Sequence, residues 1–247
     1  MATKISADEK KRLKGLGFIP QKDGEHFACR IITEDGCLNT AESTKVTEIA
    51  EKYGRGYVSY TVRLTVEIPW LKYEDVEKVQ AELAEVGLVV GGTGPRVRPI
   101  VACKGTVCVF GRLDTQEFAR ELHEIFYEGH RDVILPHKFK IGIGGCPNNC
   151  IKPDLNDIGI TGQRIIGNQE EGSDNQKEGL KIFIGGRWGK SVRRGDPLDG
   201  LYSKDETIEI IKKAIFYYKE NGNPKERFGE MIERIGVKEV SGNLIGK

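Results

Sequence analysis

A chain of 247 residues that is 38% hydrophobic and 30% charged is long enough for one large domain or two small ones sharing an interface, and its composition argues against disorder. Lys and Arg total 38 against 37 Asp and Glu, which excludes the general positive field of a nucleic-acid or anionic-membrane binder, so any basic site is local. The start, MATKISADEKKRLKGLGF, lacks the apolar core of a signal peptide, and no later stretch approaches the roughly 20 apolar residues of a membrane span.

A cytoplasmic protein is therefore predicted, and in that reducing compartment six cysteines point to metal or redox chemistry rather than a disulfide framework. In chain order, residues 1–9 read as a tail, HFACRII (26–32) as an apolar strand, and AESTKVTEIAEKYG (41–54) as a helix stopped by Gly54. YVSYTVRLTVEI (57–68) reads as one long strand. YEDVEKVQAELAEVG (73–87) reads as a helix with Val76, Val79, Leu83 and Val86 on one stripe. This β-α-β-α order predicts a ferredoxin-like α/β sandwich over residues 10–88.

After the turn-rich GGTGPR (91–96) the residues 89–247 form a second, larger domain, giving an α+β class overall. Its predicted elements are a helix DTQEFARELHEIFYEG (114–129), a strand KFKIGIGG (138–145), a polar loop over 167–179, a strand KIFIGG (181–186) and a helix near 204–220. IGGRWGKS (184–191) is not a phosphate loop, because the required first glycine is Ile184. The four histidines have no metal-ligand spacing, and Cys29 reads as a core thiol.

Two cysteine pairs carry the chemistry: Cys103 and Cys108 in ACKGTVC, then Cys146 and Cys150 in GGCPNNC. Pro147 is suited to the first position of a helix, which predicts Cys146 at an N-cap and Cys150 one turn on, both thiols facing one object. Four such ligands suit Zn²⁺ or an iron–sulfur cluster, the second tolerating wider spacing; four ordinary buried cysteines are the plain alternative.

Alternation in KFKIGIGG sets Lys138 and Lys140 on one face and Phe139, Ile141 and Ile143 on the other. It likewise sets Arg30 opposite Phe27, Cys29 and Ile31, lines Arg63 with Ser59, Thr61 and Thr65, and gives Arg96 and Arg98 a common face if 96–102 is extended. Each alone is an ordinary solvated strand face. Together, beside thiolates, they describe a pocket for a polyanion.

GGCPNNC and RPIVACKGTVC resemble the cysteine segments of the sirohaem-containing sulfite and nitrite reductases, and the resemblance runs over roughly residues 10–240. It implies a [4Fe-4S] cluster on Cys103, Cys108, Cys146 and Cys150, with Cys150 also bridging to the sirohaem iron. LPHKFK resembles a segment whose lysines bind the anionic substrate, implicating Lys138 and Lys140, and Arg30 and Arg98 match arginines that complete that site. Arg63, Asn148 and Arg187 are similarly placed against the macrocycle. Two positions depart from the family: four residues rather than five separate Cys103 from Cys108, and Leu64 stands where the family has glutamine.

The resemblance implies a reductase of sulfite, or of nitrite, fed by a separate electron-donor protein. Longer relatives carry two copies of this unit, so the single copy here implies a two-fold homodimer with the cations of each protomer facing the cofactors of the other. Two further readings stand beside it: an iron–sulfur carrier or redox sensor without sirohaem, and a zinc module.

Overall fold

The computed structural model describes residues 5–166 and 176–246. The chain is α+β and divides into two compact units, Met1–Gly94 and Pro95–Lys247.

The first unit opens with α1 (Ala7–Leu16), so residues 7–9 are helical rather than a tail. Ser6 caps it by accepting the Glu9 N–H, and Gly17, in the left-handed region, ends it. There follow β1 (Phe18–Pro20), β2 (Phe27–Ile31), α2 (Thr40–Tyr53), β3 (Ser59–Tyr60), β4 (Val66–Leu71) and α3 (Val76–Ala84). The sheet is antiparallel in the order β1-β2-β4-β3. Asn39 and Glu42 form a capping box that fixes the start of α2. Val76, Val79 and Leu83 of α3 pack with Phe27, Cys29 and Ile31 of β2 and with Val66, Ile68 and Leu71 of β4 in one core.

The single strand expected over 57–68 is instead a hairpin. The Thr61 N–H donates to the Thr65 carbonyl at 2.9 Å, the Leu64 N–H donates to the Thr61 carbonyl at 3.0 Å, and Leu64 adopts φ 62°, which turns the chain back. Val62, core-facing in the expected alternation, is 94% exposed at the tip. A turn at this point resets the period-two pattern, so residues before and after it no longer share a face.

The second unit contains β5 (Val101–Ala102), α4 (Thr115–Leu122), β6 (Ile141–Gly144), β7 (Ile158–Ile166), β8 (Gln176–Ile184), β9 (Asp196–Pro197), α5 (Lys204–Asn221), α6 (Phe228–Ile235) and α7 (Val237–Ile245). Its sheet runs β5-β6-β7-β8-β9, parallel across β5, β6 and β7 and antiparallel thereafter. Asp114 caps α4, which runs on into a π-helical turn at His123–Glu128. Of the polar loop expected over 167–179, residues 167–175 lie outside the described residues, and 176–179 open β8.

β6 is buried along its whole length, with Ile141 and Ile143 in the core. Gly142 lies against the turn after it: a Cβ there would stand 2.6 Å from Asn156 Nδ2, so this side of the strand has room for no side chain. Ile210, Ile211, Ala214, Ile215 and Tyr218 of α5 and Phe228, Met231 and Ile232 of α6 join the same core. Among the described residues no helix is long and apolar enough to cross a membrane.

Candidate functional site

The two cysteine pairs are brought to one edge of the second sheet by strand order. β5 and β6 are adjacent and parallel, with Val101 opposite Gly142 and Ala102 opposite Ile143. Cys103 follows β5 directly and Cys146 follows β6 by two residues, so both loops leave the carboxyl ends of neighbouring strands. Such an edge is the usual place for a ligand on parallel strands. The Cys103 N–H donates to the Ile143 carbonyl at 3.0 Å, and the Arg112 N–H donates to the Gly145 carbonyl at 2.9 Å, which ties the first loop to the second at both ends.

Gly145 is the contact point. Its N–H donates to Cys103 Sγ at 3.1 Å, which ties the second loop to the first cysteine. A Cβ on Gly145 would come 2.9 Å from Gly105 Cα and 3.5 Å from Cys103 Sγ, so any larger residue would push the loops apart. Among the described residues no three His, Cys, Asp or Glu side chains converge where a single metal ion could sit. A cubane is held by four thiolates, each on a different iron. Four cysteines on two facing loops, with a backbone N–H aimed at sulfur, fit the cluster that the resemblance implies.

The predicted helix at Pro147 is absent. Residues 145–151 form turns in which the Asn149 N–H donates to the Cys146 carbonyl at 3.4 Å, and Asn149 and Lys152 both take positive φ, at 56° and 50°. Asparagine adopts that conformation at low cost, and it stops a helix before one turn is complete. Cys146 is half-buried and Cys150 exposed on this loop. The Asn149 side chain donates to Asp154 Oδ1 at 2.8 Å, and Asp154 Oδ2 accepts from Arg194 Nε at 2.8 Å. These residues line a cavity of about 420 Å³ beside the loop, with Pro147, Thr161, Gln163, Phe183 and Gly195 as its other walls.

Cations gather at the other end of the same strands. Val97 and Phe139 pair in parallel and are buried, which puts Arg96 and Arg98 on one face with Lys138 and Lys140, all four half-buried. The backbone here is pinned: the Leu135 N–H donates to the Pro95 carbonyl at 2.8 Å, Phe139 to Arg96 at 3.1 Å, Arg98 to Phe139 at 2.8 Å and Lys225 to Pro136 at 3.0 Å. His137 accepts the Lys138 N–H on Nδ1 at 2.7 Å, which leaves the proton of a neutral ring on Nε2. Burial, and then the positive charges of Arg227, Lys138 and Arg98, hold its pKa below the usual value.

Beneath that face lies a buried ion pair that the sequence alone does not single out. Asp157, fully buried, accepts Arg227 Nη2 at 3.0 Å and 2.8 Å on its two oxygens and the Lys140 N–H at 2.9 Å. Burial pushes the Asp157 carboxyl up, and Arg227 pulls it back. The Arg227 N–H donates to Glu230 Oε2 at 2.8 Å, and Glu230 Oε1 accepts from Arg187. A continuous chain of hydrogen bonds, two of them from the backbone N–H groups of Arg227 and Lys140, thus joins Arg187, Glu230, Arg227, Asp157 and Lys140. Asp157 and Arg227 are 70 residues apart, and no local spacing marks them.

Arg30, on β2, bonds Glu67 Oε1 through Nε at 2.8 Å and the Gly92 carbonyl through Nη1 at 3.2 Å. Arg63 sits in the hairpin turn, not on a strand face with Ser59 and Thr61. Asn148 is exposed in the second cysteine loop, and Arg187 pairs with Glu230 in a short hairpin closed by Arg193. Cys29 is buried in the first core, where desolvation pushes its thiol far up and keeps it inert.

Comparison with known proteins gives two family matches: the nitrite and sulphite reductase 4Fe-4S domain over residues 93–245, and the nitrite/sulfite reductase ferredoxin-like half domain over residues 19–86. The chain is 28% identical to the coenzyme F420-dependent sulfite reductase of Methanocaldococcus jannaschii, with 90% of this chain aligned but only 42% of that protein. It is 29% identical to the assimilatory-type sulfite reductase of Nitratidesulfovibrio vulgaris, covering 93% of this chain and 97% of that one. The fold is similar to that of dissimilatory sulfite reductase I, with a TM-score of 0.78 at 17% identity over 91% of this chain and 70% of that one.

Proposed function

Because the chain belongs to the nitrite and sulphite reductase family, we propose that it reduces a small oxyanion, sulfite ahead of nitrite, with electrons from a separate protein donor. The family is one of oxidoreductases, and its cofactors are a [4Fe-4S] cluster and sirohaem. When bound, these supply electrons one at a time to the anion. Cys103, Cys108, Cys146 and Cys150 would hold the cluster, with Cys150 shared with the sirohaem, and Arg63, Asn148 and Arg187 would meet the macrocycle. Arg30, Arg98, Lys138 and Lys140 are the cations assigned to the oxyanion. Their N–H groups balance charge on its oxygens, and the ammonium groups donate protons as those oxygens leave. A reducing cytoplasm keeps the four thiols available.

The observation that carries this reading is the placement of two groups on one pair of strands: cysteines at the carboxyl ends of β5 and β6, cations at the amino ends. About 13 Å of extended strand separates Lys140 from Gly144. That separation supports the shared-site homodimer, in which the cations of one protomer serve the cofactors of its partner.

One observation favours a second reading, an iron–sulfur carrier without sirohaem: Arg30 and Arg187 already pair with Glu67 and Glu230. The visible spectrum of anaerobically purified protein decides between them. Macrocycle bands, followed by sulfite or nitrite consumption with an artificial donor, are expected; a bare cluster spectrum would contradict the reductase.

A further inference from the structure

We propose that Arg96 is a further anion-binding residue of the cationic face, its guanidinium taking an anionic oxygen of the kind carried by a small oxyanion or by a tetrapyrrole carboxylate. The inference deepens the proposed function and rests on it for the identity of the anion. Three observations carry it. The parallel pairing of Val97 with Phe139 turns both of those side chains into the core, so Arg96 comes to the same face as Arg98, Lys138 and Lys140. The position of its backbone is fixed independently of its side chain, since its carbonyl accepts the Phe139 N–H at 3.1 Å.

Third, Arg96 Nε is shut off from solvent and has no hydrogen-bond partner among the described residues. Arg187 Nε is likewise without a partner, but the Nη1 of that guanidinium has found Glu230. A guanidinium has five N–H donors and no acceptor, and a buried donor left without a partner costs stability unless something supplies an oxygen. Three other cations on the face make an incoming anion the fitting donor of that oxygen, and a guanidinium is the cation that grips carboxylates and oxyanions through two parallel bonds.

The test compares the full chain with Arg96→Met, which keeps the apolar stem, with Arg96→Lys, which keeps the charge without the fork, and with Arg131→Met, which removes an exposed arginine elsewhere as a control for net charge. In one arm each cofactor-free chain is titrated calorimetrically with sodium sulfite. In the other, sirohaem retained per chain is read from absorbance after anaerobic purification. Arg96→Met is expected to weaken sulfite binding about tenfold or more, or to lower retained sirohaem by a comparable factor, with Arg96→Lys intermediate and Arg131→Met within about twofold of the parent. A loss in the first arm assigns Arg96 to the oxyanion; a loss in the second assigns it to the macrocycle. Should the methionine variant melt early, the lysine variant carries the decision. Parent-like behaviour of the Arg96 variants in both arms, or a parent chain that binds neither probe, overturns the inference. A parent that binds sulfite but takes up no sirohaem defeats the reductase reading while leaving Arg96 decided by the first arm.

Discussion

Gly145 and His137 show how much rests on single residues. Gly145 is where the two cysteine loops meet, and the space for its Cβ is already taken by Gly105 and approached by Cys103 Sγ. Gly145→Ala is therefore expected to cost about 1–3 kcal/mol through overpacking and to lower bound iron and acid-labile sulfide; full cluster content in the alanine variant would show that the loops can yield. His137 makes a prediction about pH. Its folded pKa lies below the usual 6.5, so as pH falls through that value the unfolded chain takes up a proton that the folded chain refuses. Stability is unaffected by this group above about pH 7 and declines as pH drops below about 6.5. His137→Gln is expected to flatten that part of a melting-temperature profile, and an unchanged slope would contradict the assignment.

At the scale of elements, the buried pair of Asp157 and Arg227 holds the segment that leads into β6. Arg227→Met leaves Asp157 buried and uncompensated, at a cost of about 3–5 kcal/mol in urea unfolding. Adding Asp157→Leu recovers part of that loss and not all of it, because the Lys140 N–H then lacks its acceptor. A cost below about 1 kcal/mol for Arg227→Met would show that the pair does not anchor the segment.

How much of these elements was legible in the sequence follows from the range of the forces. Capped amphipathic segments such as α2 and α4 and the alternation of Lys138, Phe139 and Lys140 are local patterns, and the structure agrees with them. The hairpin at Thr61–Thr65 was hidden because Leu64, rather than glycine or asparagine, takes its left-handed position. The turn at Cys146 was hidden because Pro147 suits a helix start, while Asn149 ends it too soon. α1 shows no apolar stripe in the sequence, because its charged segment buries only Leu13. Spacing within each cysteine pair was visible, but the parallel register that sets both pairs on one edge belongs to tertiary structure.

For the whole molecule the decisive relation is between the two ends of β5 and β6. Thiols stand at one end and cations at the other, and under the proposed function a single anion would meet both the cations and the cofactor iron. The proposed dimer, with two protomers exchanging ends, would resolve this, and the most direct measurement is complementation in mixed dimers. A Lys138→Met/Lys140→Met chain and a Cys146→Ser/Cys150→Ser chain, each inactive alone, would be unfolded together, refolded and reconstituted with iron, sulfide and sirohaem. If each site takes its cations from one chain and its cluster from the other, a mixed dimer contains one intact site and one doubly defective site, and sulfite or nitrite reduction returns at about half the parental rate per mixed dimer. If a single chain supplies both, each of the two sites keeps one defect and no activity returns. Recovery is the expected result; silence from a mixture shown to contain mixed dimers would contradict the shared site.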